Sequence, residues 1–267
     1  NPAYLVLSVL LVILGHLVNL IIWILLSFSF GMRIPITSAG RAWFLSRLGR
    51  YVPGKVTFLL YRIRVYKQFP GRVVALATVV EYIASISAAC LIILASIIEN
   101  PIAIPDLLRW TAAAGAVLFL SVLWPPILNR VVNLILRVFR RKPVEEIPSY
   151  RVILSTVGGY IVAALIHGLG FFLLLRSLTD ISMSYYLTIT GVYFAAGLVG
   201  LAALFAPRGI GVLEGFLLLV LPLFIPRPVA IVGILGIRII VTVTELFLTG
   251  CFVVVFGLRK RKTRTER

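Results

Sequence analysis

Charged residues within apolar stretches are the first candidates for chemistry in this sequence. Glu81, Arg238 and Glu245 each lie inside a long apolar run, and Arg208 and Glu214 lie at the break of another. A charge in the interior of a bilayer costs at least about 2.5–3.5 kcal/mol, so each one needs compensation. One interpretation is a set of structural ion pairs, such as Glu214 with Arg238 or with Arg208. The other is a polar cavity that accepts a charged ligand.

Two short breaks in the apolar pattern, residues 51–55 and 207–211, combine helix-ending prolines and glycines with cations. A helix that restarts after such a break begins with free N–H groups and the positive end of its dipole. Free N–H groups together with cations bind phosphate. We therefore predict a site for an anionic, phosphate-bearing group between the two breaks. The predicted binding residues are Arg50, Pro53, Gly54, Lys55, Glu81, Pro207, Arg208, Gly209, Gly211, Glu214 and Arg238.

The chain has two histidines, His16 and His167, and both lie deep in apolar runs. Intramembrane histidines can ligate haem or chlorophyll magnesium, relay protons, or form a hydrogen bond to a neighbouring helix. The last role is the commonest, so we predict no cofactor. The sequence contains no GxSxG, HExxH or P-loop motif and no cluster of paired acids, and we expect that the chain is not an enzyme.

The composition excludes a soluble enzyme and a solvated nucleic-acid-binding domain. Hydrophobic residues make up 61% of the 267 residues, and 13% are charged, against roughly 25% charged in soluble proteins. The formal charge of +17 therefore indicates basic loops beside membrane spans. We predict an all-α, polytopic bundle of transmembrane helices. The predicted spans are residues 4–30, 73–98, 107–124, 152–175 and 228–257, with a further apolar pair at residues 185–204 and 213–225.

Three basic clusters set the expected orientation. Residues 33–72 hold nine Lys and Arg, residues 137–151 hold five and residues 259–267 hold six. The positive-inside rule places these clusters in the cytoplasm, which puts the N-terminus outside and the C-terminus inside a cell membrane. Residues 34–69 then begin and end on the cytoplasmic side, whereas residues 184–225 begin and end on the outside.

This arrangement predicts an inverted repeat in which each half contains a span, a broken segment and a span. The first half is residues 1–136, the second is residues 150–258, and residues 259–267 form a basic cytoplasmic tail. The alternative for the first broken segment is a basic, aromatic-rich amphipathic helix that lies at the membrane interface. The alternative for the second is an ordinary hairpin of two spans.

The breaks carry motifs that resemble a known family. Residues 49–56 (GRYVPGKV) are similar to the first signature of the lysylphosphatidylglycerol synthase transmembrane-region family, also called the flippase-like family. Residues 206–214 (APRGIGVLE) are similar to its Pro-x-Gly-x-Gly-x-x-Glu signature. Glu81 and Arg238 also match the family's pattern. The resemblance covers nearly the whole chain. We expect the protein to lack the soluble aminoacyl-transferase domain.

The resemblance implies an integral membrane protein that moves lipid-linked head groups, such as aminoacylated phospholipids or polyprenyl-phosphate sugars, between leaflets. The expected partners are membrane lipids with anionic head groups, and either other membrane proteins or a second copy of the chain, but no nucleic acid. The alternative is a non-transporting, structural or accessory subunit of a larger membrane complex. In that case His16 or His167 would associate with a pigment or haem.

Overall fold

A computed structural model describes residues 1–49, 57–99, 106–138, 148–203 and 206–265, with no side chains described from residue 255 onward. Every regular element in these ranges is helical, which confirms the predicted all-α fold. Single 3₁₀ turns lie at Met183–Tyr185, Pro207–Gly209 and Leu221–Leu223. The helices are α1 (Pro2–Ser29), α2 (Ile36–Leu48), α3 (Thr57–Val65), α4 (Gly71–Glu99), α5 (Asp106–Val122), α6 (Pro125–Val138), α7 (Tyr150–Leu178), α8 (Tyr186–Ala202), α9 (Val212–Val220) and α10 (Arg227–Thr265).

Five of the described helices are long and apolar enough to cross a membrane, and the chain is a multi-pass membrane protein. They are α1, α4, α7, Met183–Ala202 (α8 with the turn before it) and Arg227–Val254 within α10. The apolar run predicted at residues 107–124 forms α5, whose 17 residues lie at the lower limit for a span. Pro125 and Pro126 follow it, and they begin the separate helix α6.

The centre of the bundle is the long contact between α1 and α7. Small residues allow the two backbones to approach closely. A Cβ atom at Gly15 would lie 2.6 Å from Nε2 of His167, and one at Gly170 would lie 3.2 Å from the Val12 side chain. Ser8 on α1 donates a hydrogen bond of 2.7 Å to the carbonyl of Gly170 on α7.

The first broken segment forms the two short helices α2 and α3, and the second forms the span α8 followed by the short helix α9. In the first half α2 packs against α3 and α10, and in the second half α9 packs against α8 and α10. With 13, 9 and 9 residues, α2, α3 and α9 are each too short to cross a bilayer alone. The first break itself, with Arg50, Pro53, Gly54 and Lys55, lies outside the described residues.

The first broken segment, which the sequence also allows as an interfacial amphipathic helix, buries one face of α2 and of α3 within the protein. Trp43 and Phe44 have no exposed surface, and Arg62 is 2% exposed. The packing of α2 against α10 is so close that a Cβ atom at Gly40 would overlap the ring of Phe252. Trp43, Phe44 and Arg62 therefore face protein, whereas Arg64 on α3 is exposed.

The break between α8 and α9 is a turn that requires glycine. Arg208, Gly209 and Gly211 have φ values of 50°, 68° and 84°, in the left-handed region. A Cβ atom at Gly209 would lie 2.8 Å from the Cα of Gly200 on α8. Since these are backbone atoms, a side chain at Gly209 can be accommodated only if the turn moves away from α8.

We expect Gly209→Ala to destabilise the protein by about 1–3 kcal/mol, because it combines an unfavourable φ with a backbone clash. The measurement is the midpoint of thermal unfolding in nanodiscs, followed by tryptophan fluorescence. Gly215→Ala on α9 is the matched control: a Cβ atom there meets nothing within 4 Å, and alanine favours a helix. Equal midpoints for the two variants would contradict the proposed contact.

Candidate functional site

The helices enclose a polar cavity with a volume of about 290 Å³, which we call the polar chamber. Seven helices and the turn after α8 contribute to its wall. Three guanidinium groups face it, those of Arg47 on α2, Arg62 on α3 and Arg208 in the turn. The other polar lining residues are His16, Asn19, Glu81, Tyr82, Ser85, Tyr160, His167 and Tyr193.

Glu81 is the centre of the first charged cluster in this wall. It is 6% exposed and forms an ion pair with Arg62. Trp43 and Tyr160 each donate a hydrogen bond of 3.1 Å to Oε1 of the same carboxylate. The guanidinium of Arg62 also lies over the ring of Trp23, 4.0 Å from its centroid. Both charges are therefore compensated within the protein, as a low-dielectric interior requires.

Glu245 on α10 is the centre of the second charged cluster. It has no exposed surface, and its two carboxylate oxygens bind two arginines from opposite ends of the sequence. Nε of Arg47 lies 2.8 Å from Oε1, and Nη2 of Arg208 lies 2.9 Å from Oε2. Arg47 and Arg208 line the chamber, and Glu245, which does not line it, binds both of them.

Backbone geometry brings Arg208 into this position. The residue adopts a left-handed conformation that is strained for any side chain with a Cβ atom. The turn is fixed by Gly209 against Gly200 and by the hydrogen bond from the Gly211 N–H to Oε2 of Glu214, 2.7 Å long. Backbone strain at a polar residue such as Arg208, in a turn fixed by Gly209 and Gly211, occurs often at binding sites.

A second cavity of about 270 Å³, the apolar chamber, lies beside the first. The two chambers share Tyr82, Tyr193, Arg208 and Val241 in their walls. The other lining residues of the apolar chamber are Gly197, Gly200, Leu201, Leu213, Ile234, Ile237 and Arg238.

Arg238 is the second charged group of the apolar chamber. Its Nη1 binds Oε1 of Glu214 at 2.8 Å, which is one of the ion pairs predicted from the sequence. Its Nη2 is buried without a hydrogen-bond partner among the described residues. The carboxylate of Glu214 occupies the N-terminus of α9, where the sequence suggested an external anion. The cation that this break presents to the polar chamber is therefore Arg208.

The two histidines meet in the polar chamber. The ring centroids of His16 and His167 are 5.1 Å apart, with the planes at 68°, and Nδ2 of Asn19 lies 3.3 Å from Nε2 of His167. This edge-to-face contact leaves no room for a porphyrin plane between the rings. The pair therefore does not fit as two axial ligands of one haem.

The structure brings together part of the predicted set. Glu81 and Arg208 line the polar chamber, and Arg208 and Arg238 line the apolar chamber. Pro207, Gly209 and Gly211 form the turn between α8 and α9, and Glu214 caps α9. Arg50, Pro53, Gly54 and Lys55 lie outside the described residues.

Sequence reasoning missed Arg47, Arg62 and Tyr160 as site residues. Arg47 and Arg62 belong to the basic, aromatic-rich segment for which an interfacial helix is the alternative, and Tyr160 carries no signal of its own. A usable signal was the run of small residues on α2, Ala39, Gly40, Ala42 and Ser46, all buried, which is typical of a packed helix.

Comparisons with models of known protein families and with curated proteins find no match for this chain.

We expect Glu81→Gln to destabilise the protein by about 3–5 kcal/mol, because it leaves the buried charge of Arg62 uncompensated. Glutamine retains an oxygen that can accept from Trp43 and Tyr160, so the loss of charge is isolated. Chemical unfolding in detergent measures the change.

Arg62→Met is the partner substitution in a double-mutant cycle. The double variant removes both charges, and we expect it to regain most of the stability that either single variant loses. Additive losses in the double variant would mean that the two charges are not coupled.

Proposed function

We propose that this protein binds a lipid-linked anionic head group in the polar chamber and moves it between the leaflets of a cell membrane. The observation that carries the proposal is the convergence of Arg47, Arg62 and Arg208 on one cavity within a bundle of membrane-spanning helices. Planar guanidinium groups bind phosphate through paired hydrogen bonds. In the proposed complex, Arg208 and the flanking cations of the first break, Arg50 and Lys55, bind the phosphate.

The pairing of the arginines supports an exchangeable anion. Glu245 is shared by Arg47 and Arg208, so one carboxylate serves two cations on this side of the chamber. Each of these arginines lines the chamber as well. A phosphate that enters the chamber can bind these two arginines from the cavity while Glu245 keeps its contacts with them.

The neighbouring apolar chamber supports a lipid-linked ligand over a free anion. Its aliphatic wall adjoins the polar chamber at Arg208. A phosphate at Arg208 would leave the polar part of the head group among the tyrosines and Asn19, while the first carbons of the lipid chain lie against Ile234 and Ile237. Ligand sites commonly combine such an apolar wall with a few fixed polar groups.

The packing of the helices supports the inverted repeat that alternating access requires. In the proposed repeat, each helix of the first half corresponds to one of the second: α1 to α7, α2 to α8, α3 to α9 and α4 to α10. Under this correspondence the contact of α4 with α8 is equivalent to the contact of α10 with α2. Likewise, the contact of α4 with α7 is equivalent to that of α10 with α1. In transporters with inverted repeats the substrate lies between the two halves. Residues of both halves line the polar chamber. We retain the orientation with the N-terminus outside and the C-terminus in the cytoplasm.

The test is lipid movement in proteoliposomes that contain fluorescent phosphatidylglycerol. Dithionite bleaches the outer leaflet, so loss of the protected half reports exchange between leaflets. We expect Arg208→Ala to slow the exchange at least about tenfold, because the loss of one charged hydrogen-bonding group typically costs more than about 1.4 kcal/mol. Arg208→Lys restores the charge but not the paired geometry, so its rate should lie in between.

Arg227→Ala is the matched control, since Arg227 is exposed at the start of α10. It removes the same charge from the same half of the chain but not from a chamber. Unchanged exchange in Arg208→Ala, or equal loss in Arg227→Ala, would contradict the proposed site.

A further inference from the structure

The polar chamber contains a pair of titratable groups that phosphate binding leaves unused. His16 is 1% exposed, and it contacts His167 from the opposite long helix. The close packing of α1 on α7 holds the pair together, because the ring of His167 lies directly against the backbone of Gly15. Both rings line the same cavity as the three guanidiniums.

The surroundings of the pair combine both signs of charge. Burial acts most strongly on His167, and the charges of Arg47 and Glu245 act on it as well. The titratable or charged described groups around the pair are Arg47 on α2, Arg62 on α3, Glu81 and Tyr82 on α4, Tyr160 on α7, Tyr193 on α8, Arg208 in the turn after α8, and Glu245 on α10. These described groups include three arginines and two glutamates, so positive charges outnumber negative ones. A further positive charge on either ring is therefore unfavourable unless an anion adds to the negative side of this balance.

An anion in the chamber reverses this balance. Both rings line the cavity that the three arginines line, so an anion bound there interacts electrostatically with them. Histidine is the side chain whose charge changes most readily between pH 5 and 8. A phosphate that enters the chamber thus favours protonation of an imidazole in its wall.

We propose that His16 and His167 form a proton-binding site that is loaded together with the anionic ligand of the polar chamber. The inference rests on the proposed function and adds the proton as a second, coupled ligand. The proton comes from water and binds the lone pair of one ring nitrogen as the phosphate enters, so one negative and one positive charge are added together. When the phosphate leaves, the same proton returns to water. A proton gradient can therefore drive movement of the anion.

The test measures binding of dioctanoyl phosphatidylglycerol to the full chain in nanodiscs between pH 5.5 and 8.5. The phosphodiester of this probe keeps one charge throughout the range, so any pH dependence belongs to the protein. We expect the affinity to rise as the pH falls, by up to about tenfold per pH unit while the proton is taken up. Calorimetry in buffers of different ionisation enthalpy should show uptake of up to one proton per lipid.

Variants and spectroscopy assign the proton to the pair. His16→Gln/His167→Gln should bind the probe with an affinity independent of pH. Asp180→Asn, at an exposed position between α7 and α8, should keep the wild-type dependence. Because the chain has two histidines, ¹⁵N-histidine NMR of the wild-type protein should show imidazolium signals when the probe is added, even where the double variant fails to fold.

Three results would overturn the inference. If binding of the probe requires Arg208 but the protein takes up no proton on binding, the inference fails and the proposed function stands. The same holds if both histidines stay neutral in the saturated complex. If the probe does not bind, or binds equally well to Arg208→Ala, the proposed function fails and this inference fails with it.

Discussion

The structure depends on the cost of a bare charge in a membrane interior. Seven charged side chains are brought together around the two chambers: Arg47, Arg62, Arg208, Arg238, Glu81, Glu214 and Glu245. Each glutamate has at least one arginine partner, because removing one member of a buried pair leaves a charge that water cannot solvate. Ion pairs as well as packing therefore hold four short elements against the long helices: α2, α3, α9 and the turn after α8.

Glu245 has a special place among these pairs because it joins distant parts of the chain. Its partner Arg47 lies 198 positions away, in the first half, whereas its other partner Arg208 lies in the turn of the second half. Glu81 similarly accepts from Trp43 in its own half and from Tyr160 in the other. The wall of the polar chamber is thus also the junction between the two halves, and a ligand there contacts the groups that hold the halves together.

Two kinds of close packing allow this junction to form. Glycines on α1 and α7 bring the central helices into contact, which also brings His16 against His167. Gly200 and Gly209 bring the turn after α8 onto α8 itself, and this contact directs Arg208 towards the chamber. Because hydrophobic burial gives little driving force within lipid, close packing of small residues and satisfied polar groups take its place.

Sequence patterns predict the class of protein, four of the five long helices nearly to their ends and the break at residues 207–211. They also indicate an ion pair of Glu214, but leave its partner open between Arg238 and Arg208. These follow from local rules: the bilayer sets the length of an apolar helix, proline and glycine end it, and a charge within it needs a partner. Tertiary structure alone decided that Arg62 is buried against Glu81, that Glu245 joins Arg47 to Arg208, and that the two histidines touch. Residues such as Arg47 and Tyr160 look ordinary along the chain, and their roles arise because helices far apart in sequence pack side by side.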